Sequence, residues 1–245
     1  MTLGMVAGLW VTLSLAKRYG IAEDEVYNLG FYTIIFSLVG ARLFSVFLDW
    51  SFYLQHPEQI IAVWNGGLAI HGAIIGGAAT FLVYAYRQQQ SFWRWADLTV
   101  PGLALGQAFG RWGNYFNQEI FGRPTDLPWG IPIELANRPV QYLTAAHFHP
   151  TFLYESILNV INFLILYTLH KKFKIQNSKF KIGIIFAVYL VNYSIIRAAM
   201  EMLRTDPVPI MLGLRTTLWW TLIALVIGVV VLVLRLNKKR TSSIL

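Results

Sequence analysis

The sequence predicts an all-α membrane protein, a bundle of seven transmembrane helices with a small outer (periplasmic-side) head between spans 4 and 5. Of its 245 residues, 56% are hydrophobic and 13% are charged, and the mean hydropathy is +0.51. In an average soluble domain roughly a quarter of the residues are charged. The apolar residues form separate runs, and most basic residues cluster in the loops between alternate runs. Together these observations predict a multi-span protein with a fixed orientation.

Seven apolar segments come near the roughly 20 residues that cross about 30 Å of hydrocarbon. They are 1–16, 28–48, 67–86, 96–110, 151–170, 182–203 and 213–235. The fourth segment is short, so we expect it to end below the interface. We expect residues 1–245 to form a single integral membrane domain, with 111–150 as an outer-face loop or head region.

The first segment is short for a span. A helix from Met1 to Ala16 rises about 24 Å, less than the thickness of the hydrocarbon. The segment predicts either a tilted first helix or a reading frame that extends upstream of Met1.

Lysine and arginine predict the orientation. Thirteen of the 20 basic residues fall in loops on one side. These residues belong to the clusters Lys17/Arg18, Arg87/Arg94, Lys171–Lys181 and Arg235/Lys238/Lys239/Arg240. The positive-inside rule therefore places the N-terminus outside and the C-terminus in the cytoplasm. The stretches 65–67, 110–130 and 197–206 then lie on the outer side.

Composition also narrows the chemistry. The net charge is +8, but the basic clusters lie between apolar runs, which favours a topological role and no nucleic-acid partner. The chain has no cysteine, which excludes a disulfide framework, a thiol nucleophile and a thiolate metal site. His147 and His149 form a lone His-x-His pattern, too weak to indicate a metal site. We expect no cofactor.

The stretch 110–130 carries the densest chemistry. It reads Gly-Arg-Trp-Gly-Asn-Tyr-Phe-Asn-Gln-Glu-Ile-Phe-Gly-Arg-Pro-Thr-Asp-Leu-Pro-Trp-Gly. A lipid-exposed helix does not carry such a set, because each unpaired charge at membrane depth costs several kcal/mol. The stretch therefore predicts a site at the membrane surface.

Two further polar residues fall within or beside spans. His71 lies near the outer end of the third span and has two interpretations, a proton acceptor or a histidine hydrogen-bonded between helices. Arg42 lies in the outer half of the second span, where we favour a structural pairing with a carboxylate.

The sixth span ends in a charged pattern. Arg197, Glu201 and Arg204 are spaced i, i+4 and i+7, so a continuing helix would place them on one face. A self-neutralising ladder is one interpretation. We favour a functional one, because two arginines against one glutamate leave positive charge for an anion such as phosphate.

The fifth span carries a polar stripe with the same spacing. For Asn159 and Asn162 we favour helix–helix hydrogen bonding, whereas Tyr154 and Glu155 remain open. In the fourth span, Gly102, Gly106 and Gly110 recur every four residues and predict a helix-packing face.

Arginines, amides, carboxylates and one histidine at the outer boundary favour transfer chemistry on a phospholipid. Arg111 and Arg197 would hold the leaving phosphate. A transporter of lipids or small molecules is the main rival, although such sites tend to lie at mid-bilayer between internal repeats, and no repeat is evident here. A non-catalytic scaffold is a third hypothesis.

Several motifs resemble the prolipoprotein diacylglyceryl transferase family, the bacterial membrane enzymes that begin lipoprotein maturation. The resemblance covers most of the chain from Gly40 to Gly213, and its motifs follow the family's order. The motifs are Gly66-Gly-Leu-Ala-Ile-His71-Gly, the run from Gly110 to Gly122, Leu127-Pro-Trp-Gly130, His149-Pro-Thr-Phe-Leu-Tyr-Glu155 and Arg197…Glu201…Arg204.

The resemblance implies transfer of diacylglyceryl from phosphatidylglycerol to the lipobox cysteine of a preprolipoprotein, which forms a thioether and releases glycerol-1-phosphate. It implies a multi-pass protein of the bacterial cytoplasmic (inner) membrane with its active site toward the outer leaflet. The nucleophilic thiol would belong to the substrate, in agreement with the absence of cysteine here.

The resemblance also implies roles for individual residues. Catalysis would involve His71 as the base, with Arg111 and Arg197 on the headgroup phosphate. The other residues expected to bind substrate or to shape and support the site are Asn114, Glu119, Gly122, Tyr154, Glu155, Glu201 and Arg204.

The start of the chain departs from the family. Members carry an arginine and a tyrosine–glycine pair at the outer end of the first helix, whereas this sequence opens Met1-Thr-Leu-Gly4. We expect the reading frame to begin several codons upstream and to include that tyrosine. In addition, His71-Gly-Ala replaces the commoner His-Gly-Gly.

Overall fold

The computed structural model describes residues 2–172 and 182–237, which are mainly helical. They contain seven helices of 18 to 26 residues and a short one, α3. The helices are α1 (Thr2–Tyr19), α2 (Glu23–Leu48), α3 (Trp50–Gln55), α4 (Ile70–Arg87), α5 (Phe92–Phe116), α6 (Thr151–Lys172), α7 (Ile184–Glu201) and α8 (Thr216–Asn237). Of the expected basic clusters, Lys174, Lys179, Lys181, Lys238, Lys239 and Arg240 lie outside the described residues.

A long helix accounts for most of each of the seven apolar segments, and the largest difference is in the fourth. Helix α5 continues past residue 110 to Phe116, so the first residues of the polar stretch are helical. The chain leaves the helix at Gln118 and Ile120, whose φ angles are 49° and 56°.

Four helices in the described part of the chain are long and apolar enough to cross a membrane by length and composition. They are α2, α6, α7 and α8. These helices identify a helical integral membrane protein. The full set of seven spans and the outer head stay predictions at this point.

The chain divides into two compact units. One contains the described residues of Met1–Leu15 and Asp97–Leu245, and the other is Ala16–Ala96. The single membrane domain expected from the sequence also stays a prediction.

In the unit Ala16–Ala96, helix α2 packs closely against α4. Glycines make this approach possible. A Cβ on Gly72 would overlap the carbonyl oxygen of Gly40 and lie 2.5 Å from Cβ of Phe44. Such contacts between small residues are typical of helix pairs in membranes.

In the larger unit, α7 packs against both α6 and α8, and α1 packs against α5. A Cβ on Gly8 would lie 2.8 Å from the carbonyl oxygen of Gly102, and one on Gly4 would lie 2.9 Å from that of Gly106. The predicted glycine face is therefore confirmed at Gly102 and Gly106. At Gly110 a Cβ would meet nothing within 4 Å, so the packing prediction is wrong there.

Polar side chains connect the same helices. Asn192 Nδ2 donates to Asn162 Oδ1 at 2.9 Å, which confirms the helix–helix role of Asn162. Asn159 instead donates to the carbonyl of Glu155 in its own helix, and its expected helix–helix bond is not found within residues 2–172 and 182–237. Asp97 on α5 accepts from the backbone N–H groups of Gly183 and Phe186 at 2.6 and 2.8 Å, and it thereby caps the start of α7.

Two small hairpins lie between the helices of this unit. Strands β1 (Ile131–Pro132) and β2 (His147–Phe148) pair antiparallel over a cluster of Phe121, Ile133 and Phe148. Strands β3 (Ile210–Met211) and β4 (Leu214–Arg215) form the second hairpin, directly before α8.

Candidate functional site

A buried carboxylate, Glu155, lies at the centre of an arginine cluster. Its side chain is 3% exposed, and Oε2 lies 2.5 Å from Nε of Arg111. Its other oxygen, Oε1, lies 3.7 Å from guanidinium nitrogens of both Arg197 and Arg204. Glu155 is the fifth residue of α6, so the start of this helix brings one negative charge to three arginines from separate segments. The sequence had suggested only a supporting role for Glu155.

The predicted pair at the end of α7 is present. Arg197 Nη2 lies 2.8 Å from Glu201 Oε2, with the i, i+4 spacing of one helix face. The extension of this face to Arg204 is wrong, because α7 ends at Glu201. Arg204 instead pairs with Asp206, with Nε 2.8 Å from Oδ1.

Gly122 fixes the position of Arg204. The two residues form an antiparallel β-bridge, and the neighbouring Arg123 N–H donates to the carbonyl of Leu203. A Cβ on Gly122 would lie 2.7 Å from Cβ of His149 and 3.2 Å from the oxygen of Leu203. Only glycine therefore fits without displacing one of these segments.

Asn114 and Glu119 belong to the same polar stretch as Arg111 and are connected to it by hydrogen bonds. Arg111 Nη1 donates to Asn114 Oδ1 at 3.3 Å, and Asn114 Nδ2 donates to Glu119 Oε1 at 2.9 Å. Asn117 Nδ2 donates to the same glutamate oxygen at 3.2 Å. This chain of bonds orients the guanidinium of Arg111 at the C-terminal end of α5.

Tyr154 has different partners from its neighbour Glu155. Trp129 Nε1 donates to the Tyr154 hydroxyl at 2.7 Å, and Nδ1 of His149 lies 3.2 Å from that hydroxyl. Tyr154 thereby connects the start of α6 to the segment that contains β1 and β2.

Two charged residues of the cluster were missed by sequence reasoning. Arg215 Nε lies 2.5 Å from Glu201 Oε1, and Arg215 Nη2 lies 3.4 Å from Asp206 Oδ2. Thr217 Oγ1 also donates to Glu201 Oε1, at 2.5 Å. The available signal was Arg215 itself, an arginine two residues after Gly213 at the predicted outer start of the seventh span, 213–235.

The ion-paired cluster carries an excess of positive charge. Four arginines, at positions 111, 197, 204 and 215, face three carboxylates, at positions 155, 201 and 206. Buried charges are tolerated only where they are paired, so the surplus favours an anion beside the cluster. Nη1 of Arg197 is buried and has no hydrogen-bond acceptor among the described residues. A bound oxyanion could supply that acceptor.

His71 belongs to the other compact unit, Ala16–Ala96. It is half-buried in the first turn of α4, with its ring centroid 5.9 Å from that of Phe44. The structure thus brings the nine other predicted site residues into one unit, while His71 lies in the second.

Arg42 in the second unit binds backbone carbonyls. It donates to the carbonyl oxygens of Gln59, Ile60, Ala62, Gly66 and Gly67. The carboxylate expected as its partner is not among these acceptors, but the structural interpretation stands. Arg42 holds the loop that leads into the helix of His71.

Comparison with known proteins agrees with the motifs. A family model described as prolipoprotein diacylglyceryl transferase matches residues 1–234. Three similar proteins are each named phosphatidylglycerol–prolipoprotein diacylglyceryl transferase. The one from a Nostoc species is 46% identical over 209 residues, which cover 85% of this chain and 73% of the relative. The one from Acaryochloris marina is 47% identical over 209 residues, which cover 85% and 74%. The one from Synechococcus elongatus is 42% identical over 238 residues, which cover 97% and 82%.

Proposed function

The chain belongs to the prolipoprotein diacylglyceryl transferase family, and we propose that it transfers the diacylglyceryl group of phosphatidylglycerol to the lipobox cysteine of a preprolipoprotein. It is a membrane transferase, and its relatives' names give the lipid donor and the protein acceptor. The cysteine thiol must come from the acceptor, because this chain has none.

The reaction is a displacement at a glyceryl carbon. The acceptor sulfur forms a C–S bond to the carbon that carries the phosphate, and the C–O bond to the phosphate breaks. Glycerol-1-phosphate leaves with the electron pair, and the thiol proton passes to a base. A phosphodiester with one negative charge thus becomes a phosphomonoester that approaches two. A site that stabilises this added charge accelerates the reaction.

The arginine cluster around Glu155 carries this proposal. Arg111 and Arg197 both lie beside the Glu155 carboxylate, and Arg197 has a buried Nη1 available for an acceptor. Planar guanidinium groups suit phosphate oxygens because they donate in a fixed fork. We assign the headgroup phosphate to these two arginines.

The remaining site residues would support this pair. Asn114 and Glu119 orient Arg111, Glu201 orients Arg197, and Gly122 holds Arg204 in place. The hydroxyl of Tyr154 would bind at the edge of the site, beside Trp129 and His149.

His71 is the proposed base for the acceptor thiol. A neutral imidazole is the side chain that most often acts as a general base in proteins. If His71 takes this proton, the His71→Gln variant should recover activity as the pH rises past about 8.5, where a free thiol ionises without help. A variant that stays inactive at pH 9.5 with an ionised acceptor would remove His71 from this role.

For the membrane arrangement we propose all seven spans, the N-terminus outside, the C-terminus in the cytoplasm, and the head 111–150 on the outer side. The positive-inside rule supports this arrangement, because 13 of the 20 basic residues fall on one side. The cluster would then meet the outer leaflet of the bacterial inner membrane, where exported preprolipoproteins are accessible.

An assay on purified protein tests the function. With phosphatidylglycerol and a lipobox peptide, we expect a thioether-linked peptide and an equal amount of glycerol-1-phosphate. Arg111→Gln and Arg197→Gln should each lower turnover at least a hundredfold. Arg123→Gln is the matched control, because Arg123 is exposed and lies outside the ion-paired cluster. Movement of phosphatidylglycerol between leaflets without any thioether would favour the rival transporter.

A further inference from the structure

Arg215 connects the β3–β4 hairpin to the carboxylates of the arginine cluster. Its Nε lies 2.5 Å from Glu201, and its Nη2 donates to the backbone oxygen of Asp206 at 2.9 Å. Nη1 also donates to the carbonyl of Arg204 at 3.4 Å. The side chain is 25% exposed, so most of it lies inside the protein. One guanidinium therefore contacts the segments that position both Glu201 and Asp206.

The charge balance of the cluster depends on this residue. Without Arg215, the three arginines at 111, 197 and 204 would face the three carboxylates at 155, 201 and 206, and the ion-paired charges would sum to zero. Arg215 also shares Glu201 with Arg197, since the two guanidinium groups bind different oxygens of that carboxylate. Glu201 is thus prevented from neutralising Arg197 alone.

We propose that Arg215 is a positioning residue for the transfer reaction and supplies the excess positive charge with which the cluster binds phosphate. Arg215 acts through Glu201 and Asp206, and need not touch the lipid. This inference rests on the proposed function only for the identity of the anion.

The proposal predicts that loss of the Arg215 charge changes the dissociation constants of two soluble probes by different factors. Glycerophosphoglycerol is the deacylated headgroup and carries one negative charge, whereas glycerol-1-phosphate carries two at pH 8. Coulomb energy scales with the charge of the ligand. Loss of one positive charge should therefore raise the dissociation constant of the dianion by about the square of the factor for the monoanion.

Calorimetry at pH 8 on the full chain in detergent tests this. In Arg215→Gln we expect a dissociation constant about fivefold higher for glycerophosphoglycerol and about twenty-fivefold higher for glycerol-1-phosphate. Arg215→Lys keeps the charge and loses the guanidinium fork, so any loss of affinity should be about equal for the two probes. Arg123→Gln removes one exposed positive charge from the same unit and should change neither value.

A double variant separates charge from local structure. Arg215→Gln combined with Asp206→Asn restores the surplus of one positive charge while it removes two members of the network. We expect the affinity for glycerol-1-phosphate to recover at least fivefold from the single variant. Equal factors for the two probes, or no recovery in the double variant, would mean that Arg215 only braces the hairpin and would overturn the proposal. Because binding is measured directly, this result is independent of whether the wild type modifies a lipobox peptide.

Discussion

At the scale of single residues, the cluster depends on carboxylates whose negative charges offset the repulsion between its arginines. Glu155 has a side chain that is 3% exposed and contacts three guanidinium groups. Removal of one partner from a buried ion pair leaves the other charges uncompensated, which typically costs 3–5 kcal/mol.

We therefore expect Glu155→Gln to lower the free energy of unfolding by about 3 kcal/mol and to reduce turnover at least a hundredfold. The isosteric amide keeps the shape of the side chain and removes the charge. Thermal unfolding in detergent and the thioether assay measure the two effects. Glu58→Gln is the control, since that carboxylate is exposed and its pair with His56 contributes little. Wild-type turnover in Glu155→Gln would remove Glu155 from the centre of the site.

A second prediction at this scale concerns Arg42. Its donors bind five carbonyl oxygens of one loop, and lysine has only three donors on a single nitrogen. Arg42→Lys should lower the free energy of unfolding by about 3 kcal/mol and speed hydrogen exchange in residues 59–67. Arg87→Lys, an exposed change of the same kind, should alter neither. Unchanged exchange in that loop would contradict the role given to Arg42.

The sequence reveals the residue types of the site better than their pairing. Arg111, Arg197 and Glu201 were predicted because arginine and glutamate at a span end are costly without a partner. Arg215 and Asp206 were missed because their partners depend on the register of a hairpin and on the β-bridge between Gly122 and Arg204. The bridge joins segments far apart in the chain, whereas the contacts of Arg215 with Asp206 and Glu201 depend on a turn whose register no spacing in the sequence reveals.

At the scale of elements, glycines decide how closely helices approach. A Cβ on Gly40 would overlap the carbonyl oxygen of Gly72 and lie 3.2 Å from Cα of Gly76, whereas one on Gly30 would meet nothing within 4 Å. All of these glycines lie on α2 or α4, so replacement by alanine improves the intrinsic helix propensity by a similar amount at each position.

Gly40→Ala should lower the free energy of unfolding by about 2 kcal/mol or more, because α2 and α4 must separate. Gly30→Ala on the same helix should be neutral or stabilising by up to about 1 kcal/mol. Thermal unfolding of the two variants measures the difference. If both variants are equally stable, the close packing of α2 on α4 is not what holds this unit together.

The apolar segments of the sequence were a good guide to the helices but not to all of their ends. Helix α5 runs on to Phe116, past the end of the apolar segment, and the chain leaves the helix where Gln118 and Ile120 adopt positive φ angles. Hydropathy reports where lipid contact ends, and the backbone can remain helical beyond that point.

At the scale of the whole molecule, the proposed chemistry requires one orientation. The proposed acceptor is an exported protein, so under this proposal the arginine cluster must face outward and the basic loops must face the cytoplasm. The natural absence of cysteine makes this testable, because any cysteine that is introduced is the only thiol in the chain.

We expect Glu58→Cys to react with a membrane-impermeant maleimide in intact cells, and Gln88→Cys to react only after the membrane is permeabilised. Both positions are exposed, and they precede and follow helix α4. The cysteine-free parent is the background control. If Gln88→Cys reacts in intact cells and Glu58→Cys does not, the arginine cluster cannot reach an exported thiol by the proposed route. The reverse labelling pattern would therefore contradict the orientation and the transfer mechanism together, because the mechanism requires the arginine cluster to face outward.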